Sequence, residues 1–384
     1  MQELPRHFEN YDEIRQKGFM RVKELKDAGR RVIGTFCSYV PVELFHAADA
    51  VPVGLCASSE EPISAAETVL PRNICPLIKA SYGFALTDKC PYFYFSDFIV
   101  GETTCDGKKK MFELMNEIKD TYVMQLPNGR DFKDALPMWR NEIIRLKEKI
   151  ESFYQIQISE DEIRKAVRLK NRERKAIRKF LELGMLVPPA ISGYEAGTRI
   201  DAASFSFDIE ERIRTFEERT KEAYDFWLKE KKEKASSHPR LLVTGCPNMG
   251  VRDKIIKTVE ELGADVVVID TCNGIRTQLD LVDENAADIY EALARKYLNV
   301  TCSVMTPNAP RFTEMEKLLD EYQVDGVIEI ILQACHTFAI EAYQVKRFVT
   351  EKKGLPYLAI ETDYSQADKG QIATRLGAFL EMLS

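Results

Sequence analysis

The sequence lacks the short motifs by which several common enzyme classes are recognised. It contains no CxxC pair, which argues against a zinc ribbon, a thioredoxin-like site or a ferredoxin-type cluster motif. No GxGxxG follows a strand pattern and no GxSxG is present, so neither a dinucleotide-binding turn nor a nucleophile elbow is indicated. Gly245 and Gly250 have phosphate-loop spacing, but the Lys and Ser/Thr that should follow are absent. We therefore expect this chain to bind no nucleotide.

The chain also lacks an excess of basic charge and any long apolar run. Its formal net charge of -7 argues against general nucleic-acid binding, which requires a basic surface. No apolar run approaches the length that crosses a bilayer, and the first residues lack a signal-peptide profile. With only four histidines, a histidine-rich metal site is not expected. These absences predict a cytoplasmic protein that binds neither nucleic acid nor membrane.

Cysteine, in contrast, is abundant for such a protein. Nine cysteines in a cytoplasmic chain favour metal or redox chemistry over a disulfide framework. The alternative is a set of scattered buried thiols that act as small hydrophobic side chains. Several of the cysteines follow predicted strands directly, as Cys335 follows the apolar run Gly326–Leu332. The carboxyl ends of parallel strands are where open α/β sheets bind ligands, so this placement favours a functional role.

Short apolar strands alternate with helical patterns in two parts of the chain, which predicts an α/β fold with parallel sheets. We expect an N-terminal α/β domain with a leading helix at 1–131, a helical segment at 132–236 and a C-terminal α/β domain at 237–384. The aromatic run Tyr92–Phe95 is interpreted as a strand, and the spacing of Ser64 and Glu67 as the capping box of a short helix.

The two α/β parts place their cysteines in similar positions, which indicates a loose internal duplication. Cys37 and Cys246 close the first strand of each part, Cys56 and Cys272 the second; Cys75 and Cys302 lie in the next connection, and Cys105 and Cys335 close a later strand. Cys75 and Cys246 stand before a proline at a predicted helix start, where the helix dipole favours a thiolate. Cys56 and Cys90 have the weakest context. If the two sheet edges face each other, six or more thiols line one cleft.

The segment from Ile163 to Phe180 is strongly basic. The simpler interpretation is a solvated helix face, and the sharper one is a docking surface for an acidic partner protein.

Five stretches of this sequence resemble one known family. GTFCSYVPVELFHAADAVPVGLC, LPRNICPLIKASYGF, GETTCDGKKKMFE, DGVIEIILQACHTF and YLAIETDYS look like the 2-hydroxyacyl-CoA dehydratase/benzoyl-CoA reductase family, and the match extends from Arg31 to the end. The chain looks most similar to the double-cubane-cluster proteins, which are anaerobic, ATP-dependent reductases. The resemblance implies two flavodoxin-like domains, with an iron–sulfur cluster held between them. It also implies a homodimer and a separate ATP-hydrolysing iron–sulfur activator that supplies low-potential electrons.

The resemblance also implies the cluster ligands. In the dehydratases three cysteines hold a 4Fe-4S cubane, and the matching residues here are Cys75, Cys105 and Cys335. A double-cubane 8Fe-9S cluster needs three thiolates on each half. The internal duplication leads us to expect that Cys37, Cys246 and Cys302 are the other three ligands, with Cys272 in reserve. His336 and Glu361 are candidates for proton transfer to a small substrate.

Three other functions stay open at this point. One is a subunit of a 2-hydroxyacyl-CoA dehydratase, with a single 4Fe-4S cluster and ketyl-radical elimination of water. Another is a non-catalytic low-potential electron carrier. The last is a metal-free scaffold with buried thiols. The iron content separates the dehydratase subunit and the metal-free scaffold from the double-cubane reductase, and turnover with the activator and ATP separates the electron carrier from it.

Overall fold

The protein contains two four-stranded parallel sheets of identical topology. The structure is a computed structural model that describes residues 4–5, 13–233 and 237–383. The first sheet has the order β2-β1-β3-β4 and the second β6-β5-β7-β8, with every pairing parallel. The strands are β1 Arg31–Thr35, β2 Ala50–Gly54, β3 Phe98–Glu102, β4 Thr121–Met124, β5 Arg240–Gly245, β6 Asp265–Asp270, β7 Gly326–Leu332 and β8 Tyr357–Thr362. The α/β fold class and the two parallel sheets predicted from the sequence are confirmed.

Helices make the connections between the parallel strands. Those in the first half are α1 Glu13–Asp27, α2 Glu43–Ala47, α3 Ile63–Ala66, α4 Pro76–Leu86, α5 Pro91–Phe95, α6 Asp106–Asn116, α7 Ala135–Tyr154 and α8 Glu160–Leu181. Those in the second half are α9 Gly193–Ala203, α10 Ile209–Glu230, α11 Thr258–Glu261, α12 Ile289–Leu298, α13 Ala309–Glu321, α14 His336–Arg347 and α15 Lys369–Glu381. Within the predicted segment 132–236, the described residues up to 233 contain helices and no strand. The start of the predicted leading helix lies outside the described residues.

The central strands are apolar on both faces. Every residue of β3, β5 and β7 is buried, as expected for parallel strands that are covered by helices on both sides. Fully burying a Val, Leu or Ile side chain contributes roughly 1.5–3 kcal/mol, so these strands supply much of the stabilising apolar area. A buried polar side chain on one of these strands needs a hydrogen-bond or charged partner, so each such residue marks a specific contact.

The contacts divide the chain into two compact units. The first unit comprises the described residues up to Lys170 together with Val282–Val300, and the second comprises Asn171–Leu281 and the described residues from Thr301 onward. The four helices of the predicted segment 132–236 are thus shared between the units, and α12 joins the first unit although it follows β6. The predicted boundaries 1–131, 132–236 and 237–384 stay a prediction about sequence segments. Among the described residues, no helix is long and apolar enough to cross a membrane.

One predicted strand is wrong. The run Tyr92–Phe95 belongs to helix α5, which begins at Pro91 and has Cys90 as its N-cap. The Cys90 Sγ accepts the N–H of Phe93 at 3.5 Å. At the other end, the Lys119 Nζ lies 2.7 Å from each of three carbonyl oxygens, which belong to Phe93, Tyr94 and Ser96. Proline at the first helical position and a lysine on the last carbonyls outweigh the strand propensity of the aromatic residues.

The predicted capping box is also wrong, although a short helix does form there. Helix α3 begins at Ile63 and its N-cap is Pro62, with no side-chain cap hydrogen bond. Ser64 therefore lies inside the helix and cannot accept the bond that defines a capping box.

Candidate functional site

The thiols of the first unit lie at the carboxyl ends of adjacent strands. Cys37 follows β1 by two residues, Cys56 follows β2 by two, and Cys105 follows β3 by three. The chain leaves β1 toward β2 on one side and returns to β3 on the other, so Cys37 and Cys105 flank the point where the strand order reverses. Open α/β sheets bind their ligands at this point.

The backbone at Cys37 adopts a conformation that is unusual for a residue with a side chain. Its φ of 59° lies in the left-handed region, which costs a non-glycine residue on the order of 1 kcal/mol. In this conformation its N–H donates to the Sγ of Cys56 at 3.4 Å. The turn after β1 and the turn after β2 are thereby joined, so Cys56 belongs with Cys37. Its weak sequence context gave no indication of this.

A buried ammonium group lies among these thiols. Lys108, in the first turn of α6, is 7% exposed, and its Nζ lies 4.0 Å from the Cys56 Sγ. Burial opposes the charge of Lys108, but Cys37 and Cys56, followed by Glu102 and Cys105, raise its pKa well above the usual range. A cation held in this position favours the thiolate form of neighbouring cysteines, which is the form that binds metal. No feature of the sequence alone distinguished Lys108 from the two lysines after it.

Glu102, the last residue of β3, is a buried carboxyl group at the same edge. It is 0% exposed, and its Oε1 accepts the Tyr39 N–H at 3.0 Å. Its Oε2 is buried and has no hydrogen-bond partner among the residues that the structure describes. Burial raises the Glu102 pKa to about 7, against the opposing effects of Lys108 and the Tyr39 N–H. This edge therefore combines thiols, one cation and a carboxyl group that can hold a proton near neutral pH.

In the second unit, Cys246 depends on the glycine that precedes it. Gly245 ends β5 with a φ of +107°, and a Cβ there would lie 2.1 Å from the Ile330 carbonyl oxygen. The close approach lets the Cys246 N–H donate to that oxygen at 2.8 Å. The Cys246 Sγ in turn accepts the Leu332 N–H at 3.3 Å. Cys246 is thus fixed between β5 and β7. It follows the first strand of its sheet, as Cys37 follows the first strand of the other sheet.

Cys302 and Cys335 are linked through two hydroxyl groups. Cys335 is the N-cap residue of α14, and Ala334 before it has a left-handed φ of 55°. The Cys335 Sγ lies 4.0 Å from the Thr337 Oγ1, which also accepts from the Ser303 Oγ at 3.0 Å. Because Ser303 directly follows Cys302, this contact ties the two cysteine turns together.

A buried arginine lies near the remaining thiols of this unit. Arg276 is 3% exposed, and its Nε and Nη2 form a two-pronged ion pair with the Asp270 carboxylate at 3.0 and 2.9 Å. Burial opposes its charge, but Asp270, and then Cys302 and Cys272, raise the pKa of the guanidinium above its usual range. Each unit thus has a buried cation whose pKa its thiols raise, Lys108 after β3 and Arg276 after β6.

A second ionic pair anchors the Cys302 turn. The Arg311 Nη1 forms an ion pair with Glu341, whose other carboxylate oxygen accepts from the Asn308 Nδ2 at 2.7 Å. The same Asn308 amide donates to the Cys302 carbonyl oxygen at 3.1 Å. Arg311 and Glu341 are buried, so the pair and its hydrogen bonds hold the turn in one arrangement.

The other predicted site residues lie in varied surroundings. Cys75 is buried and is the N-cap residue of α4, as its sequence context predicted. His336 is the first residue of α14 and is exposed, and Glu361 is exposed on the edge strand β8. Cys90 caps α5 and has no place at either sheet edge. No evidence from the contacts assigns His336 or Glu361 a catalytic role, which stays a prediction.

The donors at the sheet edges are mainly thiols, which are the usual protein ligands of iron–sulfur clusters. Within the described residues, no three His, Cys, Asp or Glu side chains are grouped so as to hold one metal ion. The thiolates of a cubane each bind a different iron atom and stand farther apart than the ligands of one ion. The cysteines of both units are reduced thiols, which are donors of the kind that such a cluster requires. The ligand set Cys37, Cys75, Cys105, Cys246, Cys302 and Cys335, with Cys272 in reserve, stays a prediction.

Comparison with known families assigns the chain to one of them. The sequence model described as 2-hydroxyglutaryl-CoA dehydratase, D-component, matches residues 37–383. The chain belongs to this 2-hydroxyacyl-CoA dehydratase family. The match begins at Cys37, just after β1, and covers the other seven strands and all the predicted ligands.

Curated relatives cover nearly the whole chain. YjiM of Escherichia coli (strain K12), provisionally named a dehydratase subunit, is 47% identical over 381 residues, 99% of each chain. The (R)-phenyllactyl-CoA dehydratase beta subunit of Clostridium sporogenes is 25% identical over 94% of each chain. The (R)-2-hydroxyglutaryl-CoA dehydratase subunit beta of Acidaminococcus fermentans is 23% identical over 98% of each. Family members are thus components of dehydratase enzymes.

Proposed function

We propose that this protein is an iron–sulfur reductase that reduces a small substrate at a double-cubane 8Fe-9S cluster. The observation that carries the proposal is the equivalence of the two sheet edges. Each sheet has the order that places thiols at the strand-reversal point, and each unit adds one buried cation among its thiols. One cubane needs three cysteine ligands from this chain, whereas two equivalent sets of three suit two bridged cubanes.

The chain's own residues would bind the cluster and balance its charge. Cys37, Cys75 and Cys105 from the first unit, and Cys246, Cys302 and Cys335 from the second, would be the ligands. Lys108 and Arg276 would offset part of the negative charge of the thiolates. When bound, the cluster would supply single electrons at low potential. Glu102, whose pKa burial raises to about 7, could hold a proton at the edge of the first sheet.

The electrons would come from an ATP-hydrolysing iron–sulfur activator protein. The chain itself has no phosphate-binding loop, so ATP would be hydrolysed by that partner. A homodimer stays part of this proposal.

The second candidate is the beta subunit of a 2-hydroxyacyl-CoA dehydratase. The names of the relatives from Clostridium and Acidaminococcus favour it. In that case Cys75, Cys105 and Cys335 would hold a single 4Fe-4S cluster, and the substrate would be a 2-hydroxyacyl-CoA thioester that loses water. A different subunit would then be required as partner.

Iron and acid-labile sulfide, measured per chain on protein purified without oxygen, test the proposal directly. About eight iron atoms with slightly more sulfide are expected for the double cubane. About four would contradict it and favour the dehydratase subunit. The absence of iron would overturn both candidates. Turnover with the activator and ATP then separates a reductase from a saturated electron carrier, which accepts electrons but converts no substrate.

A further inference from the structure

The guanidinium of Arg276 has one nitrogen that the protein leaves unused. Its Nε and Nη2 face Asp270, and Nη2 also donates to the Asp270 carbonyl oxygen at 2.7 Å. The third nitrogen, Nη1, is buried and donates to no acceptor among the residues that the structure describes. A buried donor without an acceptor costs about 1–3 kcal/mol, so a position that retains one calls for an explanation.

The surroundings of Arg276 indicate which acceptor is missing. Arg276 follows Cys272 by four residues, and the Thr277 Oγ1 donates back to the Cys272 carbonyl oxygen at 3.3 Å. The loop therefore folds back on itself beside the thiol. Cys302 and Cys272, after Asp270, raise the pKa of the Arg276 guanidinium. Because Nε and Nη2 of the guanidinium bind Asp270, Nη1 is the nitrogen that remains for a further acceptor.

Arg311 provides a comparison within the same unit. It is also buried, and its Nε also has no acceptor among the described residues. Its two terminal nitrogens, however, bind Glu341 and Glu329, and its guanidinium lies over the Phe338 ring at 5.3 Å. Arg311 thus serves the ionic network that anchors Cys302, whereas Arg276 has a terminal nitrogen without an acceptor among the described residues, and thiols raise its pKa.

We propose that Arg276 is a positioning residue whose Nη1–H donates to a sulfur atom of the cluster beside Cys272 and Cys302. This inference rests on the proposed function, since it requires a cluster at the second sheet edge. A hydrogen bond to sulfur and a nearby positive charge both stabilise the reduced, more negative state of an iron–sulfur cluster. Arg276 therefore raises the reduction potential of the cluster.

The test uses anaerobically purified holoprotein and two changes at this site. Arg276→Lys keeps the charge opposite Asp270 but removes the Nη1 donor. The double variant Arg276→Gln with Asp270→Asn removes both charges and leaves no unpaired carboxylate, which protects the fold. Arg347→Gln, on the exposed part of α14, is the matched control. Iron per chain, thermal melting and an EPR-monitored redox titration are measured for each protein.

We expect both variants at Arg276 to shift the midpoint potential to more negative values, because each removes the Nη1 donor; in the double variant the loss of the Asp270 charge offsets part of the effect of losing the Arg276 charge. The Arg347 control should match the unchanged protein. Loss of iron from Arg276→Lys with unchanged melting would also support a contact with the cluster. Full iron content with an unshifted potential in both variants would overturn the inference and leave Arg276 as the partner of Asp270 alone. Absence of iron from the unchanged protein would instead overturn the proposed function.

Discussion

Cys75, Cys105 and Cys335 each occupy the residue directly before an α-helix of eleven or twelve residues. The free N–H groups and the dipole of a helix start stabilise a thiolate there by about 0.3–1 kcal/mol, and by more where the site is partly buried. The structure shows no side-chain cap hydrogen bond at any of the three. Their sulfur atoms are therefore not needed to cap their helices.

Replacing Cys335 with serine tests its role as a ligand. We expect Cys335→Ser to lose a large part of the bound iron, because a serine hydroxyl is a poor substitute for a thiolate. Its melting without bound iron should change little, since serine is a favoured N-cap residue. Cys90→Ser is the matched control, because Cys90 is also an N-cap cysteine but lies at no sheet edge. Equal iron in both variants would remove Cys335 from the ligand set.

Gly245 is the residue on which the position of Cys246 depends. Gly245→Ala should reduce the free energy of unfolding by about 2 kcal/mol or more, because it adds a contact of 2.1 Å to backbone strain at a φ of +107°. Gly263→Ala separates the two effects, since Gly263 has a φ of +97° with nothing within 4 Å of the added Cβ. Its cost should be only about 1–2 kcal/mol. Denaturant unfolding measures both, and equal losses would mean that the Ile330 carbonyl moves aside without cost.

At the level of elements, the strands were predictable and one helix was not. The runs that became β1, β3, β5 and β7 are short, apolar and followed by turn residues, so their pattern has one interpretation. The run Tyr92–Phe95 also looks like a strand locally. Whether the run forms a helix depends on Lys119, which lies between α6 and β4. Its Nζ donates to three carbonyl oxygens at the end of α5. A contact of this kind cannot be inferred from the run itself.

The candidate site was predictable in the same partial way. Cysteines that directly follow strands could be placed at the sheet edges, because strand direction alone decides which end they occupy. The association of Cys56 with Cys37 could not be foreseen, because it depends on the left-handed turn at Cys37. Lys108 is one of three consecutive lysines in the sequence, which does not show which of them is buried. Its burial is a consequence of how α6 packs.

The exposed face of α8 carries a stripe of cations formed by Lys165, Arg168, Arg172, Lys175 and Lys179. They recur every three or four residues, so they lie along one side of the helix. Arg172 forms an ion pair with Glu210, and no ion pair of the described residues engages the other four. Arg164, Arg174 and Arg178, by contrast, turn to contacts within the protein. The basic segment predicted as one surface is thus two sets of residues, of which the stripe alone could meet an acidic partner.

Reversing charges on this stripe tests it as the activator's docking surface. The triple change of Lys165, Lys175 and Lys179 to Glu should slow electron delivery from the activator by about tenfold at low salt, because attraction between complementary charges speeds association. The defect should shrink as salt is added. The same change at three exposed cations of α10, Arg214, Lys221 and Lys229, is the control. Equal rates for the two triple variants would make the stripe a solvated helix face.

For the whole molecule, the main conclusion is that one topology is used twice. Both sheets reverse strand order at the same point, and each brings a turn with a left-handed residue to that edge, at Cys37 in one and Ala334 in the other. Strained turns of this kind persist where the surrounding structure holds them and are concentrated at functional sites. The two units thus share one sheet topology with cysteines after corresponding strands, and the proposed function requires both.

The stability of the whole molecule should also depend on pH through Glu260, which lies away from the thiols. Its carboxyl group accepts the N–H of Gly193 at 2.7 Å and of Tyr194 at 3.2 Å at the start of α9. Burial raises the Glu260 pKa from 4.5 to about 7 despite these hydrogen bonds. Between these two values the folded protein holds a proton that the unfolded chain has released. The free energy of unfolding should therefore fall as the pH rises from about 5 to 8, by about 1–3 kcal/mol from this group.

Glu260→Gln isolates the pH-dependent contribution, because its side chain does not ionise. Its amide oxygen can replace only one of the two carboxylate oxygens that accept the Gly193 and Tyr194 N–H groups, and losing the other hydrogen bond lowers stability equally at every pH. We expect urea unfolding to show the variant gaining stability relative to the unchanged protein as the pH is raised from 6 to 8.5. Glu261→Gln, at the exposed neighbouring position, is the control and should follow the unchanged protein throughout. A stability difference between Glu260→Gln and the unchanged protein that stays constant over this range would mean that Glu260 is already ionised in the folded state at pH 6. The N–H groups at the start of α9 would then outweigh the burial of its carboxyl group.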